Sequence, residues 1–127
     1  MNISDLREAR RFPDVVVHKA QFVVDIHNPV GGGQANGIAE YVDAYDIPWR
    51  SLVPQKMENL ILAGRCISGT HEAMASYRVM AIAMAIGEAA GIGAALAIDH
   101  DVTPENLDVK YIQKALMDKG AVLFDEK

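Results

Sequence analysis

The stretch from Asn59 to Ile98, NLILAGRCISGTHEAMASYRVMAIAMAIGEAAGIGAALAI, decides the fold class of this chain. A short apolar run, Leu60 to Ala63, breaks at Gly64 into a polar stretch and then enters a helix rich in glycine and alanine. An apolar run of this kind, bounded by glycine, predicts a buried parallel strand. Ligands of open α/β sheets sit where such strands end and helices begin, so the order reads as strand, site loop, helix. The loop's polar groups are Arg65, Cys66, Ser68, Thr70, His71, Glu72, Ser76 and Arg78.

The helix is expected to begin near Met80 to Ala81 and to run to about Asp99, before Thr103-Pro104, where Thr103 caps a short turn. Gly87, Gly91 and Gly93 each cost about 1 kcal/mol relative to alanine inside a helix. Their expected use is close packing, with a neighbouring backbone or strand approaching along one face. Val79 to Ile98 carries only Glu88 as a charge and approaches the ~20 residues a bilayer needs. Its Ala, Gly, Ile and Met content is only modestly hydrophobic, which favours a helix buried on nearly all sides in a soluble protein, with no membrane partner.

Outward from this segment, Ser4 to Arg11 reads as a helix with Ser4 as N-cap, stopped by Pro13. The β-branched runs between Val15 and Ile26 predict one long strand with a polar middle, or two strand halves, closed by an Asn28-Pro29 turn. Gly31-Gly32-Gly33 and the residues after it read as a solvent loop and match neither GxGxxG nor GxxxxGK[ST], so no phosphate site is placed there. Tyr41 to Val53 is expected to be extended, with Tyr45, Ile47 and Trp49 on one face and Pro48 marking an edge or irregular strand. Asp108 to Lys119 predicts an amphipathic helix led by Val109, Ile112, Ala115 and Leu116 and stopped by Gly120. The organisation is one compact unit with substrate-side strands and a loop over 1–55, the strand-loop-helix over 56–100, and a C-terminal helix over 101–127.

With 127 residues and 50% hydrophobic content, the chain has the means to bury a core. A net charge of −5 argues against nucleic acid or anionic membrane as partners. A single cysteine, Cys66, excludes an internal disulfide and fits a reducing, cytoplasmic setting. His71-Glu72 does not open a metalloprotease motif, because HExxH needs a histidine where Ala75 stands. Cys66, His71 and His27 match no standard zinc spacing, so no metal is assigned.

Several short pieces follow one another along the chain: Arg11-Phe12-Pro13-Asp14, Asp25-Ile26-His27-Asn28-Pro29, Tyr45-Asp46-Ile47-Pro48-Trp49-Arg50, Ala63-Gly64-Arg65-Cys66-Ile67-Ser68, Thr70-His71-Glu72-Ala73, Arg78-Val79-Met80 and Gly87-Glu88-Ala89-Ala90-Gly91. Together they resemble the C-terminal, flavin-contacting segment of FAD-dependent oxidoreductases with the layout of glutathione-reductase-type flavoproteins. The resemblance implies a fragment of an FAD-binding doubly wound α/β fold joined to part of a substrate-domain sheet. FAD is the implied cofactor, and the long Gly/Ala helix would pack under the dinucleotide-binding sheet.

Residues matching Arg78, Val79 and Met80 lie at the isoalloxazine edge of such proteins, where helix amides face N1 and the C2 carbonyl. Many relatives have proline where this chain has Ala81. Gly64 and Arg65 are the second cofactor-binding candidates, the glycine for close backbone approach and the arginine for a pyrophosphate or ribityl oxygen, against the alternative of a surface arginine after a turn. Ser76 completes the cofactor-binding set. His71 is either a proton donor or acceptor beside the flavin or a histidine bonded to loop backbone. His27 is a substrate-facing candidate.

The long N-terminal dinucleotide-binding region of the resembled proteins is missing here, so the partner expected is that region or a separate chain supplying it. The alternative reading is a non-catalytic interaction domain that forms a homo-oligomer, since loss of the layer over the Gly/Ala helix would leave a large apolar patch.

Overall fold

Asn2, not Ser4, starts the first helix. Its Oδ1 accepts from the Asp5 amide at 3.1 Å, while the Asp5 carboxylate accepts from the Asn2 amide at 2.8 Å, a reciprocal box that closes the first turn. The helix α1 spans Ile3–Arg7 and ends well before Pro13, with Ala9 already in the left-handed region at φ 46°. The structure is a computed structural model that describes residues 1–28, 30–31 and 39–125. The Asn28-Pro29 turn and the glycine-run loop expected from the sequence fall largely outside the described residues.

Two strands follow, β1 (Val15–Ala20) and β2 (Tyr45–Pro48), paired antiparallel with Val15 opposite Pro48, Val17 opposite Ile47 and Ala20 opposite Tyr45. The expected run to Ile26 is cut short at Ala20, and Val24 makes only an isolated bridge to Glu40. The pairing is irregular on either side of Val17, and Lys19 adopts φ 54° in a bulge. Pro48 brings no N–H to the ladder. The carbonyl of Val15 opposite it accepts instead from the Gln113 carboxamide at 3.1 Å. The one-face alternation expected of Tyr45, Ile47 and Trp49 is replaced by burial on both faces, since Asp46 and Pro48 are buried too. Trp49–Ser51 then tightens into a 3₁₀ turn.

The buried parallel strand expected over Leu60 to Ala63 does not form. Among the described residues no strand lies beside it, and Leu62 reaches only the Leu52 carbonyl, at 2.8 Å. Leu60 to Leu62 are half-buried and Ala63 is exposed. The segment ends in a 3₁₀ turn, Gly64–Cys66, that Gly64 enters at φ 71°, where an L side chain is strained.

The expected loop after it is in part a helix, α2 (His71–Tyr77), capped by Thr70, whose hydroxyl accepts from the Ala73 amide. α3 follows over Met80–Asp99 as the sequence predicted, then a 3₁₀ turn at Pro104–Asn106 entered through Thr103, and α4 over Val109–Asp118, capped by Asp108 and closed by Gly120 at φ 95°. α3 packs on β1, on α4 and on both of the 3₁₀ turns that flank it in sequence, and α4 also packs on β1.

Ile82, Ile86, Ala89, Ala90, Gly93 and Ala97 form the buried face of α3. Gly93 is where close packing occurs: a Cβ there would drive into the Trp49 ring. Gly87 and Gly91 face open space, and Met80, Met84 and Ile98 on the same side are 83%, 74% and 80% exposed. The helix is thus buried along one face only, a correction to the expected burial on nearly all sides. By length and composition it is also apolar enough to cross a bilayer, with a third of its most apolar window buried against protein. The mixed helix and two-stranded sheet agrees with the α/β class.

Candidate functional site at the α2–α3 junction

The sequence from Gly69 to Met84, GTHEAMASYRVMAIAM, contains two helices separated by a single extended residue. Arg78 closes α2, its amide donating to the Met74 carbonyl at 3.2 Å. Val79 then turns extended (φ −75°, ψ 155°), and its carbonyl accepts the first bond of α3 from Ala83 at 2.9 Å. A valine cannot cap with its side chain, and no acidic residue lies in the first turn. The leading amides of a 20-residue helix are therefore left without intrahelical or side-chain acceptors at the positive end of its dipole.

Arg78 adds positive charge at the same corner. Its Nη2 donates to the Asp25 carbonyl at 3.0 Å and approaches Asp25 Oδ2 at 3.4 Å. The same Oδ2 lies 2.8 Å from Nε2 of His27. Asp25 thus bridges His27 and Arg78, which are far apart in sequence. His27 is well exposed, while Arg78 and Asp25 are half-buried. Asp25 was not among the expected site residues; the signal for it was a carboxylate two residues before His27 at the end of an apolar run.

Ser76 sits just behind the junction and is fully buried. Its hydroxyl donates to the Phe22 carbonyl at 2.6 Å and meets the Tyr45 hydroxyl at 2.8 Å. Burial pushes the Tyr45 phenol up to about 12, against the opposing pull of its bond to Ser76. Ser76 therefore ties α2 to β2 and to the Phe22 segment, and it faces protein on all sides.

His71 lies at the opposite end of α2, roughly 10 Å along the axis from Arg78 by helical rise. It is exposed, beside Glu72, whose carboxyl its own backbone amide and the Thr70 hydroxyl hold below the usual range. The structure does not bring His71 and His27 together. Gly64 and Arg65 occupy the 3₁₀ turn that packs on α3, with the Arg65 side chain exposed. Met80 projects into solvent and Val79 is half-buried. Cys66 is exposed, with Sγ 3.2 Å from the Ala63 carbonyl, and among the described residues no cluster of metal-ligating side chains forms.

A cleft of about 790 Å³ opens between residues 49–58 and the turn at 103–106. Trp49, Arg50, Lys56, Met57, Glu58 and Glu105 are among its lining residues, and none of the residues expected to bind a cofactor borders it. Arg50 is held there by an ion pair with Asp14 and by stacking over Phe12, 4.8 Å from the ring centroid.

An uncapped helix N-terminus beside an arginine can hold a carbonyl edge or an anion, and a neighbouring carboxylate-imidazole pair can hold or pass a proton. The family model described as FAD dependent oxidoreductase matches residues 1–116 of the chain. No curated protein and no solved structure matches the chain.

Proposed function

Because this chain belongs to the FAD dependent oxidoreductase family, we propose that it supplies the part of such an enzyme that holds the flavin edge and a wall of the substrate site. The observation that carries this reading is the N-terminus of α3, whose leading amides are uncapped two residues after Arg78, the arginine that Asp25 holds. Those residues fit a flavin. A bound flavin would supply hydride acceptance, with charge developing at N1 and the C2 carbonyl.

The amides from Met80 onward would stabilise that charge without reorganising, since the helix already aims them. Arg78 reinforces the field, and Asp25 fixes the guanidinium at the junction. Val79 and Met80 give apolar contact at the same edge. Gly64 lets a ligand approach the backbone and Arg65 pairs with a pyrophosphate or ribityl oxygen. His27, held by Asp25, faces the substrate side. His71, at the far end of α2, serves the site only where a ligand extends along that helix.

The α3 helix then belongs to the doubly wound FAD-binding unit, and β1 with β2 to the substrate-side sheet. A dinucleotide-binding region, from the same polypeptide or a separate one, supplies the glycine-rich turn and the acidic residue for the ribose. The open face of α3 carries a second reading, in which the chain is a non-catalytic, cytoplasmic homo-oligomer that buries Met80, Met84 and Ile98 against its own copies.

Titration of the protein with FAD, followed by flavin absorbance and fluorescence, tests the first reading. Saturable binding is expected, with Arg78→Ala weakening it about tenfold through loss of a charged donor. A folded Arg78→Ala variant that binds FAD as tightly as the parent overturns it.

A further inference from the structure

A second polar cluster lies on the β1–β2 sheet, apart from the α2–α3 junction. Asp46 is buried, and its carboxylate gathers Arg11 Nη1 at 2.9 Å, His18 Nδ1 at 2.9 Å, and the amides of Phe12 and Lys19 at 3.4 Å each. At the bulge of Lys19 its amide and the His18 ring reach the same carboxylate oxygen from adjacent positions.

With Nδ1 on Asp46, the His18 ring turns Nε2 outward. The side chain is only 3% exposed, and among the described residues this buried nitrogen has no hydrogen-bond partner. Buried ring nitrogens are rarely left so. Facing it at 3.5 Å is the carboxylate of Asp125.

Asp125 belongs to the segment that follows Gly120, where Leu123 is buried in the core and Val122 and Phe124 on either side are exposed. The Asp125 side chain itself is 54% exposed. Lys19 Nζ pairs with its Oδ1, and Arg11 Nε lies 4.0 Å from its Oδ2. Lys19 foremost, with His18 and Arg11 behind it, holds this carboxyl below the usual carboxylate range. Arg11 and Lys19 bring two positive charges to a cluster in which Asp46 carries one negative charge. Without Asp125 an uncompensated positive charge would remain beside the imidazole.

We propose that Arg11, His18 and Lys19 form a carboxylate-binding cradle that Asp125 fills in cis, so that residues 121–125 act as a strap which a small carboxylate ligand displaces. Two cationic donors are disposed about two oxygens, Lys19 toward one, which the His18 ring also borders, and Arg11 toward the other, which suits a planar carboxylate. Leu123 anchors the middle of the strap. The half-exposed ion pairs at Asp125 are the part that exchanges with solvent at low cost.

The full chain and its Asp125→Asn variant, titrated with sodium malonate against sodium chloride of matched ionic strength, test this directly. The His18 ring resonances and the methyl resonances of the buried Leu123 report by NMR. Malonate is expected to move the His18 signal saturably in Asp125→Asn while the parent needs about tenfold more. Adding Lys19→Met to the variant is expected to abolish the shift, and Asp125→Asn alone to move the Leu123 methyl signals toward those of an exposed leucine. If a natively folded Asp125→Asn protein shows no malonate-specific shift, the cradle is not a site. An equal shift with Lys19→Met present marks nonspecific anion binding and overturns the proposal, as do Leu123 methyl signals unchanged by Asp125→Asn.

Discussion

Gly93 and Gly91 lie on the same helix with opposite surroundings. A methyl group at Gly93 meets the Trp49 ring, whereas one at Gly91 meets open space. Gly93→Ala is therefore expected to destabilise the fold by about 1–3 kcal/mol through overpacking. Gly91→Ala is expected to stabilise it by about 0.4–1 kcal/mol, because alanine restricts the unfolded chain and strains nothing in the helix. Urea unfolding of the two variants gives the check, and midpoints moving in the same direction would contradict the assigned faces. The three helical glycines were visible in the sequence as costly, but which of them met a neighbour was not, since Trp49 is 44 residues away and its approach is a tertiary event. Asp25 shows the same limit. Its carboxylate gained meaning only when Arg78 was brought onto it.

Among the elements, α4 is tied to β1 by more than its apolar face. The Gln113 carboxamide donates to the carbonyls of Pro13 at 2.9 Å and Val15 at 3.1 Å, supplying the donor that Pro48 cannot. Gln113→Leu keeps the volume nearly constant but leaves two carbonyls without that donor. A loss of about 1–3 kcal/mol is expected, read as a lower thermal midpoint. A midpoint equal to that of the parent would mean that water replaces the amide. The amphipathic pattern predicted α4 with its boundaries nearly right, because helical periodicity and capping are local, and the uninterrupted Gly/Ala-rich run before Thr103-Pro104 did the same for α3. α2 was missed because Thr70-His71-Glu72 was read for its polar groups and not as a capped helix start. Leu60 to Ala63 was misread because a strand needs a neighbouring strand, which a local apolar run cannot guarantee.

For the whole molecule, the open face of α3 is the main unbalanced feature. Met80, Met84, Gly87, Gly91 and Ile98 form an exposed apolar stripe along a helix of 20 residues. Where that face is covered by copies of the chain, Met84→Glu is expected to shift the mass seen by light scattering toward the 13.8 kDa of a single chain, since burying an unpaired carboxylate is costly. An unchanged mass would show that the assembly does not use this face.

Legible in the residue order alone were the long Gly/Ala helix, the C-terminal amphipathic helix with its stop at Gly120, and, through the order of its short motifs, the FAD dependent oxidoreductase family. Those features depend on spacing within a few residues or on the order of pieces along the chain. Only the tertiary structure decided that Asp25 joins His27 to Arg78, that Ser76 is spent on Tyr45 and Phe22, and that His18 lies between Asp46 and Asp125. Each of these pairings crosses a large sequence separation or turns on which side of an element is covered. They arise from packing between elements, which no local pattern of residues specifies.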